Sequence, residues 1–304
     1  MKELVSVIIP TYKRSDYLLQ TIDSVLAQTY SPIEIIVVDD NGLGTKYQIE
    51  TQEKLQNLID DGKIIYIPHE KNKNGSAARN TGFRASKGKY INFLDDDDEL
   101  MPQKIEMQVK RLIDTDDIAG ATYCNKIIVR LQSLTNRKVK ENKYYSQEGS
   151  LLLDYILAKC TFGTSQILFK REVIENLHGF DESYLRHQDL ELMTRFFGKY
   201  ELLCTSPDIP LVIYDLSKDR GNVLSCEKDF ENKQKYIADF KDFFVNKNIL
   251  KEVSHHIWFC CAASALLNRN YTIFRRAFKC IPNKISVVEM LSLFKRFLIG
   301  LIIK

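Results

Sequence analysis

Four consecutive aspartates, Asp95 to Asp98, follow an apolar run in the stretch KYINFLDDDDELMP (residues 89–102). Like charges this close repel, and each protonates more readily unless a cation or water relieves the crowding. Asp95 and Asp97 form a D-x-D, whose alternate carboxylates can reach one hard cation at a strand-to-turn junction. Mg2+ and Mn2+ favour oxygen ligands, and Mg2+ is usually held by one or two carboxylates together with substrate phosphates. The bland reading is a solvated acidic turn ahead of a helix starting at Met101-Pro102, where proline suits the first helical position.

Three other stretches pair a chemical reading with a structural one. In VVDDN (residues 37–41) a carboxylate could accept from a base N–H or a ribose hydroxyl, or Asp-Asn could simply turn the chain. NKNGSAARNTG (residues 72–82) sets Gly75, Arg79 and Asn80 around a helix start, where backbone N–H groups and a guanidinium suit a diphosphate; otherwise it is a capped surface helix. In YLRHQDLELMTRFFGKY (residues 184–200), Leu190, Leu192, Met193 and Phe196 share a helical pattern. Asp189 at its start is either a cap or a general base facing the acidic cluster.

The elements that must position these groups alternate. LVSVIIP (residues 4–10) and IEIIVVDD (residues 33–40) read as strands, the second apolar enough to be covered on both faces. Between them YLLQTIDSVLAQ (residues 17–28) has helical periodicity with Ser15 or Asp16 as cap. A helix over 46–58, a strand in KIIYIP, a short helix in SAARNTGFRAS and a strand in KYINFLD complete a βαβαβαβ series. That series predicts an α/β fold with an open, mostly parallel sheet. Thr11 and Tyr12, Asp39 and Asp40, and Asp95 onward then meet at the carboxyl ends of three strands, where such sheets bind ligands. Strand-like stretches near 119–123 and 127–131, a basic loop over 136–143 and a strand–helix group over 166–214 follow. From Glu227 the pattern is helical, which sets a boundary near Ser225: a domain over 1–225 and a helical region over 226–304.

Composition excludes little. The chain of 304 residues is 44% hydrophobic and 27% charged, with 43 basic and 40 acidic residues, so bulk charge gives no case for nucleic acid. Seven cysteines without a C-x-x-C pair suggest reduced thiols in a cytoplasm. The opening apolar run is too short for a signal peptide. The segment ISVVEMLSLFKRFLIGLIIK (residues 285–304) is apolar but interrupted by Glu289, Lys295 and Arg296. It suits a helix at a membrane surface, or one packed on the domain or a partner, better than a spanning one.

SVIIPTYKR, IEIIVVDDN, NGSAARNTGFRASKGKYINFLDDDDELMP and GFDESYLRHQDLELMTRF, in that order over most of residues 4–200, resemble a family 2 glycosyltransferase of the bacterial polysaccharide or capsule type. The resemblance implies the GT-A fold, Rossmann-like, with a C-terminal helical extension. It places Pro10 and Tyr12 against the nucleotide base and Asp40 on the uracil or ribose. Asn72 and Arg79 would hold the nucleotide, although this stretch is one residue shorter than the common N-x-G-x-S-x-A-R-N spacing. Asp97 becomes the direct ligand of a Mn2+ or Mg2+ ion that binds the diphosphate; Asp95 assists the metal, and Asp95 and Asp96 contact the donor. Asp189 is the catalytic base, preceded by Gln188 where relatives carry an acid, and His187 shapes the acceptor side. The later metal-binding histidine of many relatives has no counterpart in YDLSKDRGNVLS (residues 214–225), where Lys218 or Arg220 would touch phosphate in a lid.

The implied reaction is inverting transfer from a nucleotide-sugar, with UDP expected from family prevalence, to a hydroxyl of a glycan or lipid-linked acceptor. It would occur in the cytoplasm, with the C-terminal helices at the inner face of the membrane. The alternative is a transferase-like, non-catalytic subunit that stabilises a partner. A sugar nucleotidyltransferase would need a Gly-rich loop that IPTYKRSDY lacks, and a phosphorelay receiver would be much shorter.

Overall fold

The computed structural model describes residues 2–115, 119–131, 137–142, 151–160, 162–216 and 225–302. The chain forms two compact units, one of Met1–Gln147 with Thr161–Arg220, the other of Glu148–Cys160 with Gly221–Lys304. Residues 148–160, read from sequence as part of the first domain, thus group with the C-terminal helices.

The first unit opens with β1 (Val5–Thr11), α1 (Ser15–Leu26), β2 (Ile33–Asp39), α2 (Lys46–Asp60), β3 (Ile65–Pro68), α3 (Gly75–Ala85) and β4 (Tyr90–Phe93). This is the expected alternation. The aspartate run then feeds a short strand, β5 (Asp98–Leu100), before α4 (Lys104–Ile113), so Pro102 precedes the helix instead of starting it. β6 (Ala119–Tyr123), β7 (Asn125–Leu131) and β8 (Arg137–Asn142) follow. After α5 (Leu151–Ile156) of the second unit come β9 (Ile167–Lys170), α6 (Arg171–Asn176), α7 (Gln188–Phe197), β10 (Glu201–Cys204) and β11 (Pro210–Asp215). The second unit adds α8 (Cys226–Asp239), α9 (Lys241–Asn246), α10 (Leu250–Leu267), α11 (Tyr271–Lys279) and α12 (Val287–Ile302).

Seven strands form the main sheet in the order β10-β6-β9-β4-β1-β2-β3. β9 runs antiparallel to both its neighbours, and the other pairs are parallel. The β-branched runs of β1 and β2 are buried on both faces, as a helix-covered parallel sheet requires. Gly82 lets α3 lie close on the sheet: a Cβ there would stand 2.3 Å from Ile8 Cγ2. A second sheet, β5-β11-β7-β8, carries the strand that leaves the acidic run. Ser15 and Asp16 do not cap α1. Its N-cap is Arg14, without a side-chain cap, because Ser15 bonds instead to Glu50 and Lys54.

In the second unit, Phe230 and Trp258 pack with Cys261, Ala262, Ile273 and Ala277 into a core of its own. Among the described residues no helix is long and apolar enough to cross a membrane.

Candidate functional site

Register brings the polar strand ends together. Thr11 pairs with Asp39 across β1 and β2, while Ile8 pairs with Phe93 of β4. The residues just beyond, Tyr12, Asp40 and Asp95, therefore leave the same edge of the sheet.

The aspartate run divides by depth. Asp96, Asp97 and Asp98 are 4, 1 and 2% exposed. Thr11 donates to Asp96 (2.7 Å), and Arg14 reaches both Asp96 and Asp97 at 3.1 Å. Ser165 donates to Asp98 (2.7 Å), and Thr21 of α1 holds the backbone carbonyls of Asp96 and Asp98. Burial lifts the Asp96 carboxyl to about 6, against the pull of Arg14 and Thr11. Burial also opposes the charge on Arg14, yet Asp96 and Asp97 together outweigh it and its pKa is raised. Asp95, at the shallow end, keeps a third of its side chain in solvent and accepts from Arg79 Nη2 at 2.6 Å.

Arg79 is the hinge of the site. Its other terminal nitrogen donates to Gln188 Oε1 (3.0 Å), and its guanidinium lies over the Phe180 ring. Asn74, with φ +77°, caps α3 by accepting from Ser76 and Ala77, which aims the helix start at this region. Gly75 leaves little room there: a Cβ would stand 3.0 Å from Arg79 Nη1 and 3.1 Å from Gln188 Oε1 and would press on the Arg79–Gln188 pair. Asn80 bonds the backbone of Phe180 on both sides and the carboxylate of Glu182. Arg195 of α7 holds the carbonyls of Leu177 and Gly179. The segment ahead of α7 is thereby fixed from two helices, and His187 enters α7 at φ +59°, a left-handed turn uncommon outside glycine. A cleft of about 250 Å³ results, lined by Arg79, Asp95, Thr164, His187, Gln188 and Asp189 among others. Asp189 is half-buried and accepts from the N–H of Leu190 (2.9 Å).

Asp40, 3% exposed, behaves otherwise. His69 Nδ1 lies 2.7 Å from its Oδ1, which also accepts from the N–H of Lys73 (2.7 Å), while Asn72 donates to Oδ2 (2.8 Å). Asp39 accepts from Tyr66 (2.7 Å) and from the N–H of Asn41, and burial raises its pKa nonetheless. The Lys13 ammonium lies over the Tyr12 ring, 4.9 Å from its centroid, and over that of Tyr47 at 5.1 Å.

Of the residues picked out from sequence, Asp95, Arg79 and Asp189 line one cleft. Asp96 and Asp97 lie in the buried layer, and Pro10, Tyr12, Asp40 and Asn72 do not line the cleft. Lys218 and Arg220 fall outside the described residues. Arg14, Gln188 as an Arg79 partner, His69 and Asn80 were not singled out for these contacts. For Arg14 the signal was present, as a cation three residues beyond a strand end that faces an acidic run. The chemistry of the donor set is compatible with a divalent cation. The donors are hard oxygens, but among the described residues no three His, Cys, Asp or Glu side chains group to hold an ion. One or two hard carboxylates suit a cation shared with ligand phosphates.

The sequence model described as Glycosyl transferase family 2 matches residues 6–177. An uncharacterized glycosyltransferase of Rickettsia prowazekii is 38% identical over 199 residues, 64% of this chain and 58% of the relative. The amylovoran biosynthesis glycosyltransferase AmsB of Erwinia amylovora is 32% identical over 62% of each chain. The Escherichia coli UDP-Glc:alpha-D-GlcNAc-diphosphoundecaprenol beta-1,3-glucosyltransferase WfaP is 29% identical over 65% of this chain and 71% of its own. The chain thus spans a little over half the length of the first curated relatives it matches. Among solved structures, Staphylococcus aureus TarS 1-349 with UDP-GlcNAc superposes with a TM-score of 0.60 at 16% identity, covering 96% of this chain and 79% of that one. The Pyrobaculum calidifontis mannosyltransferase PcManGT with GDP-Man and Mn2+ gives 0.56 at 17% identity, covering 98% and 88%. These likenesses establish the fold, which is GT-A.

Proposed function

The chain belongs to glycosyl transferase family 2, and from that premise we propose that it moves a sugar from a nucleotide-sugar to a hydroxyl of a glycan or lipid-linked acceptor in bacterial polysaccharide synthesis. One observation carries the reading. Arg79 joins Asp95 to Gln188 in the cleft that Asp189 also lines, so a group suited to a departing diphosphate stands near a carboxylate suited to take a proton.

Asp189 accepts the acceptor's hydroxyl proton as the oxygen attacks the anomeric carbon from the face opposite the leaving group. The carbon–oxygen bond to the diphosphate breaks, its electron pair leaves with the diphosphate, and the anomeric configuration inverts. Arg79 exchanges Asp95 for the phosphates and balances their growing charge. Asp95 and Asp97 are the residues that would hold Mn2+ or Mg2+, which supplies further charge neutralisation on the leaving group when bound. Asp96 supports that pair from below. Pro10 and Tyr12 flank the base, and Asp40 shapes the base side through Asn72 and the 69–73 turn.

The UDP-Glc donor of WfaP and the UDP-GlcNAc bound to TarS support a UDP-sugar, and the diphosphoundecaprenol acceptor of WfaP supports an acceptor on a lipid diphosphate. The protein then works on the cytoplasmic side, where such donors are made. Calorimetric titration with UDP, GDP and dTDP, first with Mn2+ and then with EDTA, tests the reading. UDP should bind with Mn2+ and weaken sharply with EDTA. Binding of no nucleotide would overturn it in favour of a non-catalytic, partner-stabilising subunit.

A further inference from the structure

Helices α11 and α12 carry a surface that sugar transfer does not use. α12 turns Leu293 and Phe297 inward against Ala263, Leu266 and Phe259 of α10, and His255 Nε2 lies 2.8 Å from its Glu289. Away from that contact stand Val287, Leu291, Phe294 and Leu298, which are 76, 64, 59 and 42% exposed. Their spacing of four, three and four residues puts them on one face of the helix. Soluble monomers rarely leave so continuous an apolar stripe in water.

Charge decides what covers it. Between Tyr271 and Ile302 stand six cations, Arg275, Arg276, Lys279, Lys284, Lys295 and Arg296, against one acid, Glu289. That acid is already bound by His255 and Ser286. Arg276 lies over the Phe230 ring, 4.3 Å from its centroid, and the other five cations are exposed. A second copy would bring this cationic surface against itself, so like-charge repulsion opposes self-pairing through the stripe. An anionic bilayer attracts the cations and takes up the apolar stripe at its headgroup boundary.

We propose that α11 and α12 dock the protein on an anionic lipid surface, with Leu291 and Phe294 entering the interface and Lys295, on the rim of the stripe beside Leu291, meeting lipid phosphates. The docking stands on the second unit alone and does not depend on the transfer reaction.

The test is flotation of the full chain with vesicles of phosphatidylcholine, alone or mixed with phosphatidylglycerol. Binding should appear on the mixed vesicles, be weak on neutral ones, and fall when salt is raised to about 0.5 M, where screening shortens the reach of charge. Leu291→Ser with Phe294→Ser, and separately Lys284→Glu with Lys295→Glu, should each cut partition about ten-fold or more. Both variants alter exposed positions, so melting temperature and UDP titration should match the wild type; unchanged UDP affinity with lost flotation separates this surface from the donor site. Absent flotation, equal binding to neutral vesicles, or variants that float like the wild type would each overturn the proposal. A wild-type dimer that Phe294→Ser dissociates would overturn it in favour of a second copy.

Discussion

The rim of the cleft and the layer beneath it use the same residue types in opposite ways. In the layer, Asp40 gives both oxygens to His69, Lys73 and Asn72, while Asp96 gives its oxygens to Thr11 and Arg14. On the rim, Asp95 has one strong partner, Arg79, and a third of its side chain in water. A carboxylate whose two oxygens are taken by several donors within the fold organises it, since releasing it would strand those polar groups. A carboxylate held by one guanidinium at a cleft can trade that partner for a ligand. Rim substitutions should therefore change function with little effect on folding, whereas layer substitutions should cost stability first.

The largest expected effect is on the rim. Asp189→Asn keeps the shape and the bond to Leu190 but removes the base, so transfer should fall by about 10²–10⁴-fold, with nucleotide affinity and melting temperature unchanged. A variant with near-normal turnover would remove Asp189 from the chemistry and break the comparison at its functional side. Next comes Arg14→Leu in the layer, which leaves Asp96 and Asp97 without their shared cation. Breaking a buried pair costs about 3–5 kcal/mol. A quarter of the Arg14 side chain is exposed, so about 2–4 kcal/mol in urea denaturation is expected after screening. Adding Asp97→Asn should restore part of that loss, because the second change removes a charge the first stranded.

Asp40→Ala sharpens the contrast with Asp95→Ala. The first strands donors on Asn72 and Lys73 and frees His69, and should cost about 2–3 kcal/mol of stability. The second removes a partly exposed ion pair worth about 1 kcal/mol or less, yet should weaken nucleotide binding. Equal effects of the two on melting would show that depth does not separate the roles.

Much of this was legible in the sequence because it is local. Strand ends read from LVSVIIP, IEIIVVDD and KYINFLD placed Thr11, Asp40 and the aspartate run on one edge, and parallel register delivered them there. The helix start that aims Arg79 was visible in NGSAARN. Depth was not legible, because four consecutive aspartates carry no sign of which turns inward. That depends on Thr21 of α1 and Ser165 beside β9, each about 70 residues or more away in sequence. The link from Arg79 to Gln188 spans 109 residues, beyond any spacing rule. Residues 148–160 defeated the linear boundary for the same reason, since grouping follows contacts and not order.

Lys104 is the smallest test and the most direct, because it is a buried charge without the partners that every acid of the layer has. It is fully buried at the start of α4, and its Nζ has no hydrogen-bond partner among the described residues. Burial pulls its pKa from 10.5 down to about 8, with only weak support from the Cys124 thiol, itself pushed up to about 12. A base whose folded pKa is depressed releases its proton earlier when folded. Between pH 8 and 10.5 the unfolded chain therefore binds more protons, and stability rises with pH across that window. Below pH 8 the full penalty applies. Lys104→Met keeps the length and removes the charge, so it should stabilise the fold by about 1–2 kcal/mol at pH 7. The gain should shrink as pH climbs toward 10.5, read as converging urea midpoints for the two proteins. A destabilised variant, or a gain independent of pH, would mean that the ammonium is satisfied where it lies, and that burying charge without an acid is no exception in this layer.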